Sequence, residues 1–395
     1  MSYPLAAYTW DDAEIAAMHR VIDSRQFTMA TEVATFEDRF AAYHGMAHAV
    51  MVNSGSSANL IAVASLFFKE YRPLKPGDEV IVPALSWATT YHPLQQYGLR
   101  LKFVDIDPET LNIDVVQLRN ALTERTRLIV PVSILGNPAD LEEIRRFADA
   151  HELYVLEDNC ESLGARTPTG KLAGTFGDLN TSSFFFSHHI TTMEGGMVLT
   201  DSEELAELLR ALRAHGWNRD FRNPPVALMP EVDQHFEAYR FVLPGYNVRP
   251  TEMAGAVGSV QLGKLDEMIG LRRRNLKIFQ ELFGDDARFR IQLEHGTNSS
   301  FCFPVVLDPS LNPDRTMLFN AFRENAIGFR IITGGCFTKH PVISYYDYEI
   351  VGDLRHAETA HDFGFFFGNF PVDLTEELTL AHDVLDRALW RANAL

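Results

Sequence analysis

The sequence predicts an α/β protein: a mostly parallel, helix-covered sheet in a large domain, followed by a smaller α+β C-terminal domain. Three observations carry this. Short apolar runs alternate with amphipathic helical stretches from residue 47 to about residue 215, the pattern of repeated strand–helix units. Several of these runs end in small or polar residues, where ligands bind at the carboxyl ends of parallel strands. After His215 the rhythm stops, and an irregular, proline-bearing stretch precedes a long helix and further strands. The expected division is residues 1–245 and 246–395.

In chain order, residues 11–24 and 32–44 read as amphipathic helices, the first capped by Thr9 or Asp11. Residues 47–52 form a strand that runs into the Ser/Gly-rich turn 53–59 and a helix. Strand-like runs at 79–83, 101–105, 128–133 and 153–156 alternate with helical stretches from about 89, at 114–123 and at 140–152. Strands at 182–186 and 197–199 flank a polar loop, and a helix at 202–215 follows. Residues 218–237 read as loop. A helix runs from 251 to about 283, broken near Gly270, and its Arg272, Arg273 and Arg274 read as a solvated face. Residues 301–307 and 329–333 read as strands, and 315–325 and 374–389 as helices.

A chain of 395 residues, 46% apolar and 22% charged, can bury a large core and is not disordered. Its formal charge of −18 disfavours nucleic acid and anionic membrane as partners. An anionic substrate would need a locally basic site. Cys160, Cys302 and Cys336 are far apart in sequence, which disfavours a disulfide framework or a cysteine-rich metal centre. No basic-then-apolar secretory segment and no apolar run of membrane-spanning length is visible, so a reducing cytoplasm is expected.

Several residues at strand ends can carry chemistry, and each has an ordinary alternative. Gly55, Ser56 and Ser57 open a helix whose free N–H groups suit a phosphate; simple helix capping is the alternative. Asp158 can pair with a protonated ring nitrogen or merely cap a turn. Trp87 can stack on a flat ligand or join the core. Ser183 can reach a phosphate or do nothing special in its strand. Asn247 and Arg249 stand in a punctuated GYNVR segment. His188 and His189 lie in the loop closed by Glu194, Gly195 and Gly196, and a loop histidine can simply be solvated.

Their order is more specific than any one of them. NSGSSANL, ALSWATTYHP, FVDIDPETLNID, LEDNCESLGA, SSFFFSHHITTMEGGMV, RAHGW and PGYNVRPTEMAGAVG follow one another over nearly the whole chain. On these segments the chain resembles the DegT/DnrJ/EryC1/StrS sugar aminotransferase family, fold-type I proteins dependent on pyridoxal 5′-phosphate (PLP). The resemblance implies that Gly55, Ser56, Ser57 and Ser183 hold the cofactor phosphate. It implies that Asp158 keeps the pyridine nitrogen protonated, that Trp87 stacks on the ring and that Glu161 lies near the 3-hydroxyl. Asn247 would reach the phosphate of the neighbouring subunit, making a homodimer with shared active sites. His215, Arg219 and Arg249 would face glutamate or a sugar nucleotide. His189 is expected to be structural.

One departure stands out. The family places its Schiff-base lysine six residues before the Glu of EGG; six before Glu194 stands His188, and no lysine lies between Lys171 and Lys264. Imidazole forms no stable imine, yet it moves protons near neutral pH. This pattern, with FFFSHHITTMEGG and FVLPGYNVRP, resembles a subgroup of the family that removes the C3 hydroxyl of GDP-4-keto-6-deoxymannose in colitose and O-antigen lipopolysaccharide biosynthesis. It implies a lyase using pyridoxamine 5′-phosphate (PMP), with L-glutamate as amino donor and ammonia as by-product. His188 would be the acid/base. The GDP preference rests on resemblance alone. The alternatives are the same reaction on another nucleotide-linked 4-ketosugar, or a non-catalytic sugar-nucleotide-binding protein. A related PMP-dependent dehydrase holds an iron–sulfur cluster on four cysteines; with three, no such cluster and no metal is expected here.

Overall fold

The computed structural model describes residues 2–222 and 239–392. Most of the expected loop at 218–237 lies outside them; Asn218–Asp220 forms one 3-10 turn. The chain opens with α1 (Asp12–Ser24) and α2 (Thr31–His44). Asp11 is the cap of α1: its carboxylate accepts from Ala13 N–H at 2.8 Å, and Glu14 accepts from Asp11 N–H at 2.9 Å.

Then follow β1 (His48–Val52), α3 (Gly55–Phe68), β2 (Glu79–Pro83), α4 (Ala88–Gln96), β3 (Arg100–Val104), α5 (Val115–Asn120), β4 (Thr126–Ile129), α6 (Leu141–Ala150), β5 (Tyr154–Asp158), β6 (Leu179–Ser183), β7 (Gly196–Thr200) and α7 (Glu203–Arg213). The C-terminal part adds α8 (Glu252–Phe283), β8 (Phe289–Ile291), β9 (Cys302–Leu307), α9 (Arg315–Glu324), β10 (Phe329–Arg330), β11 (Tyr348–Ile350), α10 (Arg355–Phe363), β12 (Gly364–Gly368) and α11 (Thr375–Ala392).

Among the described residues the large sheet has eight strands in the order β1-β7-β6-β5-β4-β2-β3-β11. All its pairings are parallel except the two made by β7. The apolar runs of β1, β2 and β4 are buried because helices cover both faces. A four-stranded antiparallel sheet, β10-β12-β9-β8, forms beside it. Tyr3 belongs to this second core: it packs on Phe367 at 6.0 Å and donates to Gly368 O at 2.6 Å. No helix of the described residues is long and apolar enough to cross a membrane.

Three expectations are corrected. The strand expected at 182–186 lies earlier, at Leu179–Ser183. Its polar residues are buried and bonded, as where Thr181 donates to Asn59 Oδ1 at 2.7 Å, whereas Phe185 and Phe186 are exposed. The strand expected to reach 333 ends at Arg330, because the chain turns at Ile332–Gly334 with Thr333 at φ 43°. Helix α8 runs 32 residues without a break at Gly270. One glycine costs a helix only about 1 kcal/mol, less than packing on both sides of it returns.

Gly270 is exposed, and a Cβ added there would meet nothing within 4 Å. Gly270→Ala is expected to raise stability by about 0.5–1 kcal/mol, seen as a higher urea midpoint. A lowered midpoint would mean that α8 bends at this residue in solution.

Candidate active site

A cavity of about 530 Å³ opens at the carboxyl ends of the parallel strands, between the two sheets. One wall is the first turn of α3. Ser54 caps this helix, its Oγ accepting from Ser57 N–H at 3.0 Å. Gly55 and Ser56 line the cavity, and Ser56 Oγ donates to Thr89 Oγ1 at 3.0 Å. A Cβ on Gly55 would lie 2.6 Å from Ser183 Cβ, so only glycine lets this turn meet β6 so closely. The helix N-terminus and the Ser183 hydroxyl thus form a compact anion cradle.

Asp158 ends β5 and is buried. Its Oδ2 accepts from Asn59 Nδ2 at 2.9 Å and Thr90 Oγ1 at 2.8 Å, and its Oδ1 from Cys160 N–H at 3.2 Å. Three donors hold the carboxylate at one angle to the cavity. Trp87, 59% exposed, lines the mouth just before α4. Glu161 also lines the cavity, accepting from Leu135 N–H at 2.9 Å. Burial pushes its carboxyl up to about 7.

His188 projects from the loop between β6 and β7 into the same cavity. Its ring meets the Phe301 ring at 5.0 Å and 65°, and its buried Nδ1 has no hydrogen-bond partner. Burial, and secondarily the nearby Arg272 guanidinium, push the imidazole down to about 3. His189 turns away, its buried ring Nε2 3.3 Å from Ser299 O, which fits the structural role expected of it.

The solvated face expected at 272–274 is wrong for its first residue. Arg272 is 2% exposed and donates to the carbonyls of Phe301 (3.2 Å), His188 (3.4 Å) and Asn369. A three-residue basic run conceals that successive helical positions face different ways. Arg273 pairs with Glu294 at 2.8 Å, and Arg274 is exposed.

Gly55, Ser56, Trp87, Asp158, Glu161, Ser183 and His188 therefore converge on one cavity. Ser57 does not line it; its hydroxyl donates to Asn53 at 2.6 Å. His215, Arg219, Asn247 and Arg249 are also absent from its walls within one chain. Asn247 is exposed and accepts from Arg249 Nε at 3.1 Å, while Arg219 lies over the Trp217 ring at 5.0 Å. Phe301 and Arg330 line the cavity without having been singled out from sequence. Nothing marked Phe301 beyond its apolar strand, and Arg330 beyond a strand end. Among the described lining residues Arg330 is the single cation and there is no lysine. The α3 N-terminus beside Ser183, the Trp87 indole at the mouth and the unpartnered His188 nitrogen fit a pyridoxamine-type cofactor without an anchoring amine.

Comparison with known proteins agrees with this geometry. Residues 9–377 match the DegT/DnrJ/EryC1/StrS aminotransferase family. The chain is 47% identical over 389 residues to GDP-4-keto-6-deoxy-D-mannose 3-dehydratase of Yersinia pseudotuberculosis, covering 98% of this chain and 99% of that one. It is similar to the structure of the E. coli GDP-4-keto-6-deoxy-D-mannose-3-dehydratase with bound hydrated PLP, at 45% identity and a TM-score of 0.94, covering 98% and 99%. It is equally similar to a structure of GDP-4-keto-6-deoxymannose-3-dehydratase with a trapped PLP–glutamate geminal diamine, at 45% identity and a TM-score of 0.94, covering 97% and 100%.

Gly55→Ala tests the cradle. The added methyl collides with Ser183, so PLP affinity is expected to fall at least about tenfold while the circular dichroism spectrum is kept. Unchanged affinity in a spectroscopic titration would remove Gly55 from the phosphate site.

Proposed function

The chain belongs to the DegT/DnrJ/EryC1/StrS aminotransferase family, and on that footing we propose that it is a PLP/PMP-dependent 3-dehydratase of GDP-4-keto-6-deoxy-D-mannose. The products would be GDP-4-keto-3,6-dideoxy-D-mannose and ammonia, with L-glutamate as amino donor. The observation that carries the proposal is the histidine at 188, in a cavity that no described lysine lines.

When bound, the cofactor supplies an amine to the C4 ketone and an electron sink that lets the C3–O bond break. The protein's own part follows from the site. Gly55, Ser56 and Ser183 bind the phosphate at the α3 N-terminus. Asp158, fixed by Asn59, Thr90 and Cys160, holds a proton on the ring nitrogen. Trp87 covers a ring face. Glu161, with its carboxyl near 7, donates or accepts at the 3-oxygen. His188 would take a proton from the amine-bearing carbon of the cofactor and return it to the departing C3 oxygen, since hydroxide leaves poorly without an acid. A lysine there would compete for the cofactor aldehyde and favour transamination.

The proposal includes a homodimer. Phe185, Phe186, Met193 and Trp87 are exposed aromatic or apolar residues in or near the cavity segments, and a second copy would cover them. Exposed Asn247 would then reach the neighbouring subunit's site, Ser57 would support the phosphate turn of its own, and His215, Arg219 and Arg249 would serve the substrate. The division of the chain near residue 245 belongs to the same proposal, as does a cytoplasmic setting, which suits the free thiols of Cys160, Cys302 and Cys336.

Incubation with GDP-4-keto-6-deoxymannose, PLP and L-glutamate is expected to give, by mass spectrometry, a sugar lacking the C3 oxygen and carrying no nitrogen, with 2-oxoglutarate and ammonia. A stable aminosugar would overturn the histidine's role. His188→Lys is expected to retain the cofactor covalently after borohydride reduction and to lose deoxygenation by at least about 100-fold. Full activity in that variant would sink the assignment.

A further inference from the structure

Arg272 is buried, yet no acidic side chain pairs with it among the described residues. Its donors go to backbone carbonyls instead: Phe301 at the start of β9, Asn369 just after β12, and His188. Asn369 completes the knot, donating from Nδ2 to Arg272 O at 3.0 Å, Ser300 O at 3.0 Å and Ser300 Oγ at 2.9 Å. Phe301, held at its carbonyl by Arg272, is also the ring against which the His188 imidazole packs. One guanidinium therefore fixes both the backbone of the histidine and the surface that orients its ring.

A buried cation without a counter-ion is costly, and solvated arginine would serve a mere helix face better. We propose that Arg272 is the positioning residue of His188, tying its loop to the second sheet and presenting the imidazole to the cavity as a neutral proton acceptor. This rests on His188 being the acid/base, but its test does not require turnover. The groups around the imidazole are few. Arg272 comes from α8 and His189 from its own loop. Asp158, Cys160 and Glu161 lie at the end of β5, Glu194 on the far side of the loop, and Arg330 on β10. The carboxylates would favour the imidazolium; burial and Arg272 oppose it, and these dominate.

The test is NMR titration of the holoenzyme with labelled histidine, the His188 signal identified by its absence in His188→Asn. In the unaltered protein the His188 midpoint is expected well below the free-imidazole value of about 6.5. Arg272→Gln keeps a donor and drops the charge; the midpoint should rise by about one pH unit or more. The low-pH limb of the dehydration rate should move to higher pH with it, because the neutral base is then lost at higher pH. Arg272→Lys keeps the charge and should restore most of the unaltered midpoint. A midpoint near 6.5 in the unaltered protein overturns the proposal without any variant. So does an Arg272→Gln midpoint equal to the unaltered one. If the low midpoint and its rise in Arg272→Gln are both found but no sugar is dehydrated, the positioning stands and the reaction assignment fails.

Discussion

The site depends on a close approach between the turn after β1 and the ends of β6 and β7. A Cβ on Gly196 would lie 2.3 Å from Ser54 O, and one on Gly55 would lie 2.6 Å from Ser183 Cβ. No other residue fits at either point without moving backbone. Once α3 is seated there, its next turn aims Asn59 at Asp158 and Thr181, because residues four apart share a helix face. The helix N-terminus proposed for the phosphate and the carboxylate proposed for the ring nitrogen are thus set by one packing constraint. The EGG sequence serves the same constraint from β7, and the loop it closes carries His188.

Three titratable groups in the cavity are displaced toward their neutral forms. Burial raises the Glu161 carboxyl and the Cys160 thiol and lowers the His188 imidazole. The chain is strongly acidic overall, yet the cavity wall presents the α3 N-terminus and several hydroxyl groups, and Arg330 is its one cation among the described lining residues. Such an arrangement leaves a base free to receive a proton and an acid able to give one.

Much of the large sheet was legible because its strands are apolar and its helices amphipathic at their own periods. The misplaced β6 shows the limit. Its Asn180, Thr181, Ser182 and Ser183 are buried, and Asn180 and Thr181 make hydrogen bonds with distant residues, which local hydropathy does not register. Strands β8, β11 and β12 and helix α10 were not foreseen; β11 and β8 have three residues each, too short for a period to show. Arg272 escaped notice because it sits in a run of arginines, and only tertiary packing separates the buried one from its neighbours. Gly55, Ser56, Asp158, Ser183 and His188 were visible as strand-end residues whose order matched a family. Asn247 and Arg249 lie outside the one-chain cavity.

Strand β11 has a mechanical consequence. After the turn at Ile332–Gly334 that lines the cavity, the chain does not stay with the second sheet. Phe337 N–H bonds to Ala84 O at 2.8 Å, and β11 then zips onto the edge of β3. The cavity wall formed by Thr333 and Gly334 is therefore strapped to the large sheet on one side and to β10 on the other. Swinging the two sheets apart as rigid plates would unzip that ladder.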